Sequence, residues 1–334
     1  MTAHTILKQN IVIDSHLDLL YDVLQKRRQG RRQVILNDYL ADWRAGNVTC
    51  IVSSLYCDEG SDYLSEALQQ IAAWEEELAE SNGEFFLATC SADIHHAHAT
   101  GKVAIMLAFE GVEPLVGEVS YLRLFHRLGV RIIGLCWSRS NWAADGSRFH
   151  DFDYTGYGLT ESGLQLLALA RELHMLIDVS HINDLGFWQV LDSAQQPVLA
   201  SHSNCRVISN TPRNLDDSQI SAIAHSDGAI CVNGVSLIAL MQDPAAADLQ
   251  TLVRHLQHIK TVAGAACLGI GFDQCQRIAD ALPSSLQEDM FDIIPCYAQL
   301  EDFVAALLQA DFTEEEIQGI IGGNFLRVIE AVIG

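Results

Sequence analysis

The stretch Ile11-Val-Ile-Asp-Ser-His-Leu-Asp18 passes from apolar, β-branched residues into groups that can hold a metal or a proton. The same change recurs in Met106-Leu-Ala-Phe-Glu110, Leu176-Ile-Asp-Val-Ser-His181, Val198-Leu-Ala-Ser-His202 and Gly269-Ile-Gly-Phe-Asp273. Runs that are apolar at successive positions suit parallel strands buried on both faces. Each of these five runs then ends in His, Asp or Glu.

Working outward, eight such runs are read as strands, at residues 11–14, 48–55, 103–109, 131–136, 176–179, 197–200, 229–233 and 267–271. Segments with helical periodicity lie between them, at 63–81, 119–128, 160–173, 183–193, 216–225 and 248–263. Strand alternating with helix predicts a parallel α/β fold. Eight units favour closure into a TIM-like (β/α)8 barrel, whose catalytic groups stand at the C-terminal ends of the strands. The polar residues support closure: a barrel brings five strand ends to one point, whereas an open sheet spreads them along a line. Residues 274–294, with Pro283, Ser284 and Ser285, read as a long loop near the site. Helices at 297–310 and after Thr313-Glu-Glu-Glu316, where Thr caps and the acids complement the helix dipole, complete one barrel domain spanning residues 1–334.

The chain of 334 residues is 49% hydrophobic and 19% charged, enough for one large core. Its net charge of −23, from 43 acidic and 20 basic residues, repels phosphate backbones and anionic membrane surfaces. No nucleic-acid or membrane partner is expected. The N-terminal residues lack the pattern of a secretory signal, and no apolar run approaches the roughly 20 residues needed to span a bilayer. Nine cysteines without CxxC pairs read as reduced, mostly buried thiols, so a cytoplasmic location is expected. There is no Gly-x-Ser-x-Gly elbow, and no cysteine sits in a nucleophile motif.

His16 and Asp18 stand two apart, so in an extended segment both leave the same face and can grip one ion. Imidazole with carboxylate suits zinc or a similar divalent metal. Glu110, with two oxygens, can bridge a pair of ions. His181 and His202 each follow a serine at a strand end. Asp273 is a candidate proton acceptor facing a metal-activated water. Arg213, in the loop after His202, can clamp a substrate carboxylate in bidentate fashion. His95, His96 and His98 precede the run at 103–109 and are read as a surface helix or turn.

With these residues assembled, the chain resembles the renal, or membrane, dipeptidase family of zinc peptidases in the amidohydrolase superfamily. The resemblance rests on Asp14-Ser-His-Leu-Asp-Leu19, Phe109-Glu-Gly-Val-Glu-Pro-Leu115, Gly158-Leu-Thr-Glu-Ser-Gly163, Leu176-Ile-Asp-Val-Ser-His181, Ser201-His-Ser-Asn204, Arg213-Asn-Leu-Asp-Asp217 and Gly322-Gly-Asn-Phe-Leu-Arg-Val328. It implies two zinc ions, one on His16 and Asp18, the other on His181 and His202, bridged by Glu110. It also implies Asp273 as acid/base, Arg213 on the substrate's C-terminal carboxylate, a dipeptide substrate that can carry a C-terminal D-residue, and a homodimer.

Three positions depart from the family pattern. Leu135-Cys-Trp137 stands where many members have Leu-Thr-His, so the histidine that polarises the scissile carbonyl is replaced by Trp137, whose indole N–H offers one hydrogen bond. Arg139, two residues on, is a candidate source of the missing positive charge. Asp273-Gln-Cys-Gln276 keeps only the first Asp of the usual Asp-Phe-Asp-Gly, and Asn233-Gly-Val-Ser-Leu-Ile238 lacks an aromatic residue. Two other readings follow from these departures: a binuclear hydrolase of a small amide, N-acyl amino acid or lactone, and a catalytically silent ligand-binding barrel.

Overall fold

The computed structural model describes residues 1–149, 151, 152, 154, 156–276 and 290–334. Nine strands form one parallel sheet: β1 (Ile13–Leu17), β2 (Cys50–Leu55), β3 (Phe85–Ala88), β4 (Val103–Glu110), β5 (Val130–Gly134), β6 (Leu176–Asp178), β7 (Val198–Ala200), β8 (Ala229–Val232) and β9 (Leu268–Ile270). Their order is β1-β2-β4-β5-β6-β7-β8-β9, with β3 added to β4 outside that path. The eight on the path make a nearly closed barrel of the expected (β/α)8 type. The first expected strand is displaced: it begins at Ile13 and takes in His16.

Two layers of apolar packing follow from the two-residue period of the strands. Ile51, Leu107, Phe109, Ile133 and Ile177 pack with the surrounding helices, among them Tyr63–Glu80, Glu161–Glu172 and Leu249–Ala263. Cys50, Val52, Ala104, Met106, Ile132 and Leu199 form a separate cluster with Phe325, Leu326 and Ile329 of the terminal helix Asn324–Val332. Glu110 follows Ala104, Met106 and Ala108 at the same two-residue spacing, which carries its carboxylate toward the barrel's interior.

At the seam between β9 and β1, a backbone bond from Asp273 N to the His16 carbonyl at 3.3 Å is joined by side chains. Ser15 Oγ lies 2.9 Å from the carbonyl of Ile270 and 2.5 Å from that of Ser201, while Asp14 Oδ1 accepts from the backbone N–H of Phe272 at 3.2 Å. Gly271 is required at this seam, because a Cβ there would stand 1.9 Å from the Ser201 carbonyl oxygen. Tyr297 ties in the C-terminal segment by donating to Asp14 Oδ2 at 2.8 Å.

The helices Leu19–Arg28 and Leu40–Ala45, and the strand β3, were not expected, whereas the helix Ser91–Thr100 falls where a surface helix or turn was read. His95, His96 and His98 lie on Ser91–Thr100, where His95 Nε2 stands 3.1 Å from Glu330 Oε1. Of the loop expected over 274–294, residues 277–289 lie outside the described residues. Its described ends are joined at Asp292, whose carboxylate accepts from the N–H groups of Cys275 and Gln276, each at 2.9 Å. All nine cysteines are free, six of them buried. Among the described residues no helix is long and apolar enough to cross a membrane.

Candidate metal centre

The strand ends deliver their polar groups to one place. Glu110 Oε1 lies 3.0 Å from His181 Nε2, 3.5 Å from His202 Nε2 and 3.6 Å from His16 Nε2. His16 Nε2 is in turn 4.0 Å from Asp18 Oδ1 and 3.9 Å from Asp273 Oδ1. Two overlapping donor groups result, His16 with Glu110 and His202, and His16 with Asp18 and Asp273. All five expected ligands and Asp273 therefore come together.

Local backbone features aim these groups. The β1–β2 register slips between Asp14 and Leu17, an irregularity that redirects side chains, and His16 sits within it. Asp14 Oδ1 accepts from His16 N at 3.1 Å, just as Asp178 Oδ1 accepts from Ser180 N at 3.0 Å. His181, Asp273 and Ser138 adopt left-handed φ values of 67°, 57° and 24°. Such conformations cost a non-glycine residue on the order of 1 kcal/mol or more, and they concentrate where function imposes them. Gly111, with φ of 93°, turns the chain directly after Glu110; a Cβ there would meet Glu113 Oε2 at 2.3 Å.

The electrostatics match a site for cations. Desolvation raises Glu110 to about 8. It also raises Asp18 to about 7, with repulsion from Glu110 adding to the effect. Asp273 rises to about 7, again first by desolvation. Burial drives His181 and His202 well below the usual imidazole range, so both rings are neutral and carry a lone pair. His16 Nε2 and Glu110 Oε2 are buried without a hydrogen-bond partner among the described residues. Neutral imidazoles, crowded carboxylates and unpaired inward-facing donor atoms together fit divalent metal ions of the zinc type.

Of the remaining predicted residues, Asp273, Arg213 and Trp137 adjoin this centre, and Arg139 packs on Trp137. Asp273 Oδ2 accepts from Asn233 Nδ2 at 2.9 Å, which leaves Oδ1 facing His16. Arg213 is buried; Nη1 donates to Ser203 Oγ and Nη2 to the His202 carbonyl, each at 2.8 Å, while Nε has no partner among the described residues. Trp137 stands beside His181 with ring centroids 5.7 Å apart, and packs edge-on to Tyr56 at 5.6 Å and against Phe149 at 6.1 Å. Arg139 is tethered: its Nε pairs with Glu113 at 3.3 Å, one Nη donates to the Cys57 carbonyl at 2.8 Å, and its guanidinium lies 5.2 Å from the Trp137 ring.

Residues outside the expected set support the candidate ligands. Ser54 donates to Asp18, Ser138 Oγ lies 2.7 Å from His181 Nδ1, and Ser201 Oγ lies 2.6 Å from His202 Nδ1. The serines preceding both histidines were visible in the sequence, but not their partners. Ser138 carries no sequence signal, because its approach depends on a positive φ.

Comparison with known proteins accords with this geometry. An uncharacterised protein of Klebsiella pneumoniae is 31% identical over 268 residues, covering 79% of this chain and 95% of its own length. Dipeptidase 3 of Homo sapiens is 27% identical over 343 residues, covering 99% of this chain and 67% of that protein. The crystal structure of dipeptidase AC, a metallopeptidase of family M19, superimposes with a TM-score of 0.86 at 25% identity, covering 97% of this chain and 99% of its own. A metallopeptidase from Rhodobacter sphaeroides, crystallised with a phosphinate mimic of the dipeptide L-Ala-D-Ala, has the same fold, with a TM-score of 0.86 at 24% identity and coverage of 97% and 99%. The family profile of membrane dipeptidases matches residues 1–333, and the chain belongs to that family, peptidase family M19.

Proposed function

We propose that this chain is a zinc dipeptidase that hydrolyses the amide bond of a dipeptide bearing a free C-terminal carboxylate, with His16, Asp18, Glu110, His181 and His202 holding two divalent ions. The observation that carries this reading is the position of Glu110 Oε1, within 3.6 Å of the Nε2 atoms of His16, His181 and His202. Membership of a family of metal-dependent dipeptidases supports it, as does the dipeptide mimic bound by the Rhodobacter sphaeroides relative. Bound divalent ions supply Lewis acidity, lowering the pKa of water and polarising a carbonyl.

The chain's own residues do the rest. Arg213, a buried cation beside the centre, takes the substrate carboxylate and thereby positions the scissile carbonyl. Asp273 Oδ1 accepts a proton from the attacking water as the new C–O bond forms. It then gives that proton to the leaving amine nitrogen as the C–N bond breaks. Asn233 holds the other oxygen and fixes which one faces the substrate. Trp137, Tyr56 and Phe149 form an aromatic wall next to His181 that excludes water and meets an apolar substrate side chain.

The test is a panel of L-Xaa-L-Xaa and L-Xaa-D-Xaa dipeptides offered to the zinc-loaded protein, with the matching dipeptide amides and N-acyl amino acids alongside. Hydrolysis confined to free dipeptides supports the proposal. Turnover of N-acyl amino acids alone would replace it with the small-amide reading. A homodimer, and a cytoplasmic setting suited to nine free thiols, belong to the same proposal; sedimentation velocity and cell fractionation test them.

A further inference from the structure

His202 is held from two sides. Its carbonyl accepts from Arg213 Nη2 at 2.8 Å, and its ring Nδ1 lies 2.6 Å from Ser201 Oγ. The Ser201 hydroxyl also lies 2.5 Å from Asp178 Oδ2. Asp178 Oδ1 accepts from the backbone N–H groups of Ser180 and Ser201, each at 3.0 Å. Asp178, Ser201 and His202 are all buried.

Counting protons along this row fixes its direction. An ionised carboxylate only accepts, and a serine hydroxyl has one proton to give. Asp178 takes that proton from Ser201. The short contact between Ser201 Oγ and His202 Nδ1 therefore requires a proton on Nδ1. A neutral ring with its proton there presents a bare lone pair at Nε2, the atom that stands 3.5 Å from Glu110 Oε1. His181 Nε2 lies 2.8 Å from His202 Nε2, so in the metal-free chain a His202 ring with a bare Nε2 accepts from His181 Nε2–H, and Ser138 Oγ, 2.7 Å from His181 Nδ1, then donates to it. The hydroxyl row reaches further. Ser180 Oγ accepts from His202 N at 3.3 Å and lies 3.2 Å from Ser203 Oγ, which accepts from Arg213 Nη1 at 2.8 Å. The buried anion Asp178 and the buried cation Arg213 thus brace His202 through serines.

We propose that Asp178, acting through Ser201, is a positioning residue that holds His202 in the Nδ1–H tautomer and so fixes Nε2 as the nitrogen offered to a divalent ion. The inference rests on reading His202 as a ligand, and groups that orient a ligating histidine commonly contribute 10–100-fold to metal affinity.

Asp178→Asn is the sharp test. The asparagine Oδ1 still accepts both backbone N–H groups, but an amide NH2 replaces Oδ2 and donates to Ser201 Oγ. The Ser201 proton then turns toward His202 Nδ1 and moves the ring proton to Nε2, where it blocks a metal. Two readouts separate this from a structural role: 15N shifts of labelled histidine in the metal-free protein, with His202 assigned by its loss in His202→Gln, and zinc affinity by competition with a chromophoric chelator. The expected result is the Nδ1–H form in the wild type, the Nε2–H form in Asp178→Asn, and zinc bound roughly 10–100-fold more weakly by the variant. In a Ser201→Ala background the Asp178→Asn change should add nothing, and Ser201→Thr should restore the wild-type tautomer and affinity. An Nε2–H wild type, an unchanged tautomer in Asp178→Asn, or an equal zinc loss with Ser201 absent would overturn the proposal. If Asp178→Asn does not fold, the Ala and Thr variants at Ser201 decide it by the same readouts. A wild-type chain in the Nδ1–H form that binds no zinc would instead overturn the metal reading and leave the tautomer control standing.

Discussion

The indole of Trp137 and the imidazole of His181 lie side by side, their centroids 5.7 Å apart and their planes tilted by 30°. A large apolar surface therefore adjoins the candidate metal centre. Tyr56 and Phe149 extend it, and the guanidinium of Arg139, paired with Glu113, lies 5.2 Å from the Trp137 ring. Replacing Trp137 with alanine should raise KM for dipeptides with a bulky apolar side chain by roughly tenfold, in line with ~1.5 kcal/mol of lost aromatic contact. Zinc content should not change. Steady-state kinetics on an Ala-containing and a Phe-containing dipeptide checks this; an equal effect on both would remove Trp137 from a specificity role.

Asp273→Asn keeps the shape of the side chain and removes its capacity to take a proton. Turnover should fall by about 10²–10⁴, while zinc stoichiometry, measured by atomic emission, stays at the wild-type value. Turnover within a few-fold of wild type would exclude Asp273 as the base.

Arg213→Lys conserves charge but loses the planar fork that matches a carboxylate. KM for a free dipeptide should rise about 10–100-fold, as expected when a charged hydrogen bond worth roughly 1.5–3 kcal/mol is lost. The preference for a dipeptide over its amide should shrink by a similar factor. An unaltered preference would mean that the carboxylate is bound elsewhere.

The barrel could be read from the sequence because its strands are buried on both faces and carry continuous apolar runs, five of the eight ending in His, Asp or Glu. The extra strand β3 could not, since Phe85-Phe-Leu-Ala88 has neither alternation nor a polar terminus and pairs outside the barrel path. The six residues that meet at the centre were legible as strand-end His, Asp and Glu. Their support was only half legible. Asp178 and Ser201 stand in the quoted motifs, but the bond between them joins residues 23 apart in the chain. The tethering of Arg139 to Glu113 likewise depends on the chain turning at Gly111.

The raised carboxyls give the metal-free chain a distinctive pH dependence. Asp18 and Asp273, raised from 3.8 to about 7, and Glu110, raised from 4.5 to about 8, hold protons more tightly in the folded chain than in the unfolded one. The stability this contributes is fully present below their unfolded values and is lost as pH rises through about 7 to 8. Divalent ions replace those protons, so zinc should raise Tm more at about pH 8 than at about pH 6, with protons released on binding. Differential scanning fluorimetry with and without zinc, and proton release in weak buffer, report both effects. A zinc-induced gain in Tm that is larger at the lower pH would contradict the assignment of these carboxyls to the centre.

We propose that the His16, Asp18, Glu110, His181 and His202 cluster is a two-ion centre that hydrolyses dipeptides. Its most direct test is a titration of the metal-stripped protein with zinc or cobalt, following bound metal and hydrolysis of an L-Ala-D-Ala-type dipeptide in the same samples. The expected result is tight binding of two equivalents per chain, with activity rising to its plateau as the second equivalent is taken up. Less than one tightly held ion per chain, with no hydrolysis of any dipeptide at any metal concentration, would contradict it.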